Sequence, residues 1–71
     1  MNAKETVLLA LKLARRSKET LVVGYDGARW QMLALSDSSS DQLVHAVIVT
    51  PKGLRYPEDE ARITELTAQG L

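Results

Sequence analysis

Leu21-Val22-Val23-Gly24-Tyr25-Asp26-Gly27-Ala28-Arg29-Trp30-Gln31-Met32-Leu33-Ala34-Leu35 is the stretch whose reading decides the fold. Two runs rich in apolar, β-branched and aromatic residues flank Asp26-Gly27, and such a pair reads as a β-hairpin. A two-residue Asp-Gly loop suits a type I′ turn, because both positions tolerate positive φ. This gives strands over 20–25 and 28–35, with Tyr25 opposite Ala28, Val23 opposite Trp30 and Leu21 opposite Met32. Alternation then puts Leu21, Val23, Tyr25, Trp30, Met32 and Ala34 on one face. Val22, Gly24, Arg29, Gln31, Leu33 and Leu35 lie on the other. The first face is the expected seat of a helix.

That helix is legible just upstream. Asn2-Ala3-Lys4-Glu5 has the spacing of a capping box, in which Asn2 accepts from the backbone of Glu5 and Glu5 reaches back. Ala3, Val7, Ala10, Leu11 and Ala14 follow at helical spacing, and Leu13 widens the stripe. Lys12, Arg15 and Arg16 fall opposite. The pattern predicts an amphipathic helix over 3–18. Its basic last turn also complements the helix dipole.

Downstream, Ser36-Asp37-Ser38-Ser39-Ser40-Asp41-Gln42 reads as a polar, mobile loop. Leu43-Val44-His45-Ala46-Val47-Ile48-Val49-Thr50 then reads as a third strand over 43–50, nearly continuously apolar. A strand wetted on one side would alternate. Thr50-Pro51-Lys52-Gly53 has turn chemistry. Pro57 can open a second helix over 57–69, with Glu58, Asp59 and Glu60 where anions are favoured and Gly70 as the stop. The order is α-β-β-β-α. The expected fold is α+β: a three-stranded antiparallel meander with the N-terminal helix on one face and a short C-terminal helix.

The 71 residues are expected to form one domain, 1–71. A chain of this size buries only roughly 60% of the surface its unfolded form exposes. It contains no Cys and a single His, His45, so disulfides and thiolate zinc sites are excluded and most other structural metal sites go with them. No apolar run approaches a membrane span, and the start lacks a signal-peptide layout. A cytoplasmic location is the expectation. Net charge is zero but unevenly placed. Residues 1–19 carry Lys4, Lys12, Arg15, Arg16 and Lys18 against Glu5 and Glu19. Residues 57–71 carry Arg62 against Glu58, Asp59, Glu60 and Glu65.

Little in the chain points to catalysis. A hydrolytic triad needs an imidazole with an orienting partner, and His45 lies inside a strand with none nearby. Asp37, Ser39 and Asp41 alternate like the opening of a calcium loop, but the required Gly and Glu are replaced by Gln42 and Ile48. No Gly-rich phosphate loop precedes a helix. Tyr25 and Trp30 fit a base-stacking platform less well than core anchors. The α-β-β-β-α order resembles that of double-stranded-RNA-binding domains. That family has a basic cluster at the start of its second helix, where this chain has Glu58-Asp59-Glu60. Residues 47–54 are similar to the wing passage of some winged-helix regulators, which need two helices before the wing. No family is assigned on these grounds.

In a meander, residues 43–50 would be an edge strand, and a long apolar edge must be covered. The sequence therefore leads to a non-catalytic protein-binding module: an adaptor, regulatory subunit or inhibitor of a bacterial, phage or mobile-element kind. It would use Leu43, His45, Val47 and Val49 to pair with a protein partner or a second copy in a homodimer. The alternative is a nucleic-acid-binding regulator using Lys12, Arg15, Arg16 and Lys18. Neither reading involves a cofactor, a metal, a membrane or a small-molecule substrate.

Overall fold

A computed structural model describes residues 1–71. The expected α+β class holds: two helices and an antiparallel sheet. Helix α1 spans Ala3–Ser17. Its capping box forms in full, with Asn2 Oδ1 accepting from the Glu5 N–H at 2.8 Å and Glu5 Oε1 accepting from the Asn2 N–H at 3.1 Å. Lys18, in the left-handed region at φ 59°, ends the helix. The buried face consists of Ala3, Thr6, Val7, Ala10 and Ala14, mostly small residues that let the helix lie close to the sheet. Thr6 enters that face because its hydroxyl bonds back to the Asn2 carbonyl at 2.8 Å. Leu13 does not join the buried stripe and stays 39% exposed.

Strands β1 (Leu21–Tyr25) and β2 (Trp30–Ala34) form the hairpin, but in a different register. Tyr25 faces Trp30, Val23 faces Met32 and Leu21 faces Ala34. The turn is centred one residue later than expected, between Gly27 and Ala28. Asp26 is the cause. Its Oδ1 accepts from the backbone N–H groups of both Ala28 and Arg29 at 2.8 Å, and Gly27 supplies the positive φ of 97°. A one-residue shift of the turn moves the register by two, so every side chain keeps its face. Leu21, Val23, Trp30 and Met32 pack beneath α1 as the alternation requires.

The strand order departs from a meander. A third strand, β3 (Val44–Thr50), pairs with β1 rather than β2, and a two-residue strand, β4 (Gly53–Leu54), pairs with β3. The sheet therefore runs β2-β1-β3-β4, with β1 and β3 inside. Because β2 and β3 both run antiparallel to β1, they are parallel to each other. The chain between them must return from Ala34, opposite Leu21, to Val44, opposite Tyr25. Residues 35–43 make that passage across the sheet face that α1 leaves free. Far from being a loose loop, they hold a 3-10 helix (Ser38–Gln42) started by Asp37, which accepts from the Ser39 N–H. Leu43 then seats directly on Gly24. Val22, on this second face, is left only 6% exposed.

Helix α2 spans Asp59–Ala68 and packs beside α1. It begins two residues after Pro57, because 56–60 first make successive turn bonds, Asp59 N–H to Tyr56 and Glu60 N–H to Pro57. It closes with Gly70 N–H donating to the Thr67 carbonyl and Leu71 N–H to that of Leu66, a Schellman pattern. The Leu71 carbonyl then accepts from both the Ala3 N–H at 2.7 Å and Trp30 Nε1 at 3.1 Å. This clasp ties the start of α1, the end of α2 and the start of β2 together. The core of Ala3, Val7, Ala10, Ala14, Val23, Val47, Val49, Ile63 and Leu66 lies between the helices and the sheet.

Candidate functional site

The residues that sequence assigned to a docking strand are placed elsewhere. Val47 and Val49 are 2% and 0% exposed beneath the helices, so no partner can reach them. Leu43 is committed to Gly24. His45 is exposed at a β-bulge, at φ 55°, where the β1–β3 register breaks. The outer side of β3 is closed by its own chain over its second half, with one further bond at Ala46. It is paired with β4 at Val49 and Thr50; the Ile48 carbonyl accepts from the Arg55 N–H at 3.0 Å, and the Ala46 carbonyl accepts from Arg62 Nη2 at 2.6 Å. Asp59 holds that guanidinium in place at 3.4 Å. Part of the apolar content of 43–50 thus has an internal reason: the helices cover Val47 and Val49, while Val44 on the strand's first half stays 52% exposed.

The open edge belongs to β2. The Asp26 N–H donates to the Arg29 carbonyl and the Leu35 N–H to the Thr20 carbonyl, which fixes the phase of the β1–β2 ladder. By the antiparallel alternation, Gln31 and Leu33 bond to β1, and Trp30, Met32 and Ala34 point their backbone groups outward. The Ala34 carbonyl is taken by the Asp37 N–H at 2.9 Å. The N–H and C=O of Trp30 and Met32 meet no backbone partner. Trp-Gln-Met-Leu-Ala carries no charge, no proline and no bulge, the devices that usually guard an edge. Above it, on the side of α1 turned away from α2, Leu9 and Leu13 are 36% and 39% exposed; Leu35 is exposed at the strand's end. Trp30 stacks edge-on against Tyr25 at 5.7 Å and is held by Leu71, so it serves as an anchor for this edge.

Compared with known proteins, the chain matches no family model, no curated protein and no solved structure.

The basic residues gather at the opposite end of α1. Lys12, Arg15, Arg16 and Lys18 are all exposed. Arg15 Nε donates to the Pro51 carbonyl at 3.2 Å, which brings the β3–β4 turn and Lys52 alongside. The single ion pair in the structure is Arg62–Asp59, so none of these cations has a carboxylate partner. Between α1 and α2 lies a groove of about 410 Å³ with Val7, Leu11, Leu54 and Ile63 in its walls and Lys4 and Glu60 beside them. No group of three or more His, Asp or Glu side chains is placed to hold a metal ion. No helix is long and apolar enough to cross a membrane.

The backbone N–H groups of Arg29 and then Ala28 hold Asp26 below the ordinary aspartate range, aided by the Gln31 side chain and the Arg29 charge. Its role is to fix the hairpin turn beside the open edge. Sequence reasoning missed β2 as the edge because its five residues looked like the middle of a meander. The sequence carried no signal for it: an uncharged Trp30–Ala34 reads as an interior strand, because edges are usually guarded by charge, proline or a bulge.

Proposed function

We propose that this chain is a non-catalytic protein-binding module that takes up a strand on the open edge of β2. The observation that carries the reading is the uncharged, unbulged backbone of Trp30–Ala34, whose Trp30 and Met32 amide and carbonyl groups face outward without partners. Main-chain bonds of this kind give affinity in strand addition, and nearby side chains give selectivity. Leu9 and Leu13 above the edge and Leu35 at its end supply apolar contacts. A cytoplasmic adaptor, regulatory subunit or inhibitor fits such a surface. The reading moves the docking role away from 43–50, where Val47 and Val49 are buried and β4 occupies the edge at Val49 and Thr50.

The test is capture from a cell lysate by the wild type and by Met32→Pro. Proline removes an outward N–H that the fold does not use, as edge positions allow. Proteins retained by the wild type and lost with Met32→Pro are expected. An identical set from both would refute edge binding.

A second reading rests on the Arg15–Pro51 contact, which assembles Lys12, Arg15, Arg16, Lys18 and Lys52 without counter-charges. Such a surface suits the phosphates of a nucleic acid, and binding would weaken steeply with salt. Absence of any electrophoretic shift at low salt eliminates it.

A further inference from the structure

We propose that the outward side of α1 docks on an anionic lipid surface, a partner that neither reading of the sequence included. It draws on the cations of the nucleic-acid reading and not on the β2 edge. The buried residues Ala3, Ala10 and Ala14 fix which side of α1 faces the core. At about 3.6 residues per turn, Leu8, Leu9, Lys12, Arg15 and Arg16 then fall within roughly 60° of the direction opposite Ala3. All five are exposed, Leu8 by 57% and Leu9 by 36%. Glu5 is the one acid in this strip, and it spends Oε1 on the helix cap. Lys18 follows at the helix end, and the Arg15–Pro51 bond brings Lys52 alongside. None of these cations has a carboxylate partner.

A lone exposed leucine is ordinary and calls for no partner. What adjoins Leu8 is different. Leu8 also lines the groove between α1 and α2, so its side chain continues into the apolar wall of Val7, Leu11, Leu54 and Ile63. The outward strip thus joins cations without counter-charges to an apolar channel of a size to take part of an acyl chain. Binding to a membrane surface grows with the apolar area buried and with attraction to anionic headgroups, and α1 supplies both. The phosphates of a nucleic acid would engage the cations but leave Leu8, Leu9 and the groove in water. The leucines therefore favour lipid.

Flotation with vesicles of phosphatidylcholine, alone or mixed with phosphatidylserine, tests the proposal. The full chain should float with the mixed vesicles and not with phosphatidylcholine alone, and rising salt should release it. Lys12→Gln and Arg16→Gln should each weaken binding about fivefold, the contribution of one cation near such a surface. Leu8→Ser should weaken it about five- to tenfold and leave the electrophoretic mobility of an oligonucleotide mixture as the wild type leaves it. Circular dichroism checks that each variant keeps its helices. A second measurement uses the absence of native cysteine. An environment-sensitive dye on Leu8→Cys should shift its emission to the blue on mixed vesicles, whereas the same dye on exposed Ser39→Cys, across the sheet from α1, should not. No flotation at low salt, Leu8→Ser binding like the wild type, or equal dye shifts at the two sites overturns the proposal. An oligonucleotide shift that depends on Lys12, without vesicle binding, overturns it too and assigns the cations to a nucleic acid.

Discussion

Gly24→Ala should destabilise this protein, although glycine in a strand is ordinarily a liability. Gly24 does not have a positive φ, so its backbone would accept alanine. Space is what forbids it. A Cβ at Gly24 would sit 2.5 Å from Leu43 Cβ, 3.1 Å from its Cδ1 and 3.3 Å from its Cγ. Carbon atoms pack best at about 3.5–4.0 Å, so the first contact is about 1 Å too short. It falls on a Cβ, which no rotamer change can move. Leu43 can retreat only if its backbone moves, and that backbone is fixed by the Leu43 N–H bond to the Ser40 carbonyl at 3.2 Å and by the start of β3. Overpacking of this kind costs about 1–3 kcal/mol, and the Gly→Ala gain through the unfolded chain returns about 0.4–1. A net loss of about 1–2 kcal/mol lowers the melting temperature of a domain this size by about 4–8 °C per kcal/mol. Thermal and urea unfolding followed by circular dichroism would measure it. A double-mutant cycle locates the clash: Leu43→Gly should rescue Gly24→Ala, and Leu43→Ala, which keeps the Cβ, should not. A Gly24→Ala protein as stable as the wild type would refute the placement of 35–43 on the sheet.

Three further outcomes follow from local structure. Asn2→Ala removes the side-chain acceptor of the capping box, while the backbone N–H at position 2 can still donate to Glu5, and should cost about 1 kcal/mol in urea unfolding, within the range of about 0.5–2 for such caps. His45→Gly should leave stability unchanged or raise it by up to about 1 kcal/mol, because φ 55° strains a non-glycine residue; at a regular strand position the same change destabilises. Asp26→Ala should lower the melting temperature at neutral pH and flatten its acid dependence. The Asp26 carboxyl titrates lower folded than unfolded, so its contribution is complete above the unfolded value of about 3.9 and is lost as pH falls through the folded one. A constant gap between wild type and variant from neutral to strongly acidic pH would contradict this.

Local chemistry was written plainly in the sequence, and long-range order was not. The capping box at Asn2 and the faces of the hairpin follow from residues a few positions apart. The register slipped because Asp26 acts through its side chain, accepting two amides, where the Asp-Gly pair suggested it as a turn centre. The place of β3 was hidden for a different reason. Apolar residues on both faces of 43–50 fit an uncovered edge and an interior strand equally well. What separates the two is the path of 36–42, whose Ser, Asp and Gln side chains do not announce contact with a sheet. Only Leu43 and Gly24 mark that contact, and a glycine chosen for space looks the same in sequence as one chosen for a turn. The second short strand was implicit in the Thr50-Pro51-Lys52-Gly53 turn, because a turn that tight reverses the chain onto β3. The candidate surface moved with the strand order, from a strand rich in valine to one distinguished by what it lacks.

Residue-resolved hydrogen exchange on dilute protein tests the arrangement of edges most directly. The amides of Trp30 and Met32 should exchange as open groups, while those of Gln31, Leu33, Val47 and Val49 stay protected to near the global unfolding limit. Protected Trp30 and Met32 amides together with fast exchange at Val47 and Val49 would put the free edge back on β3.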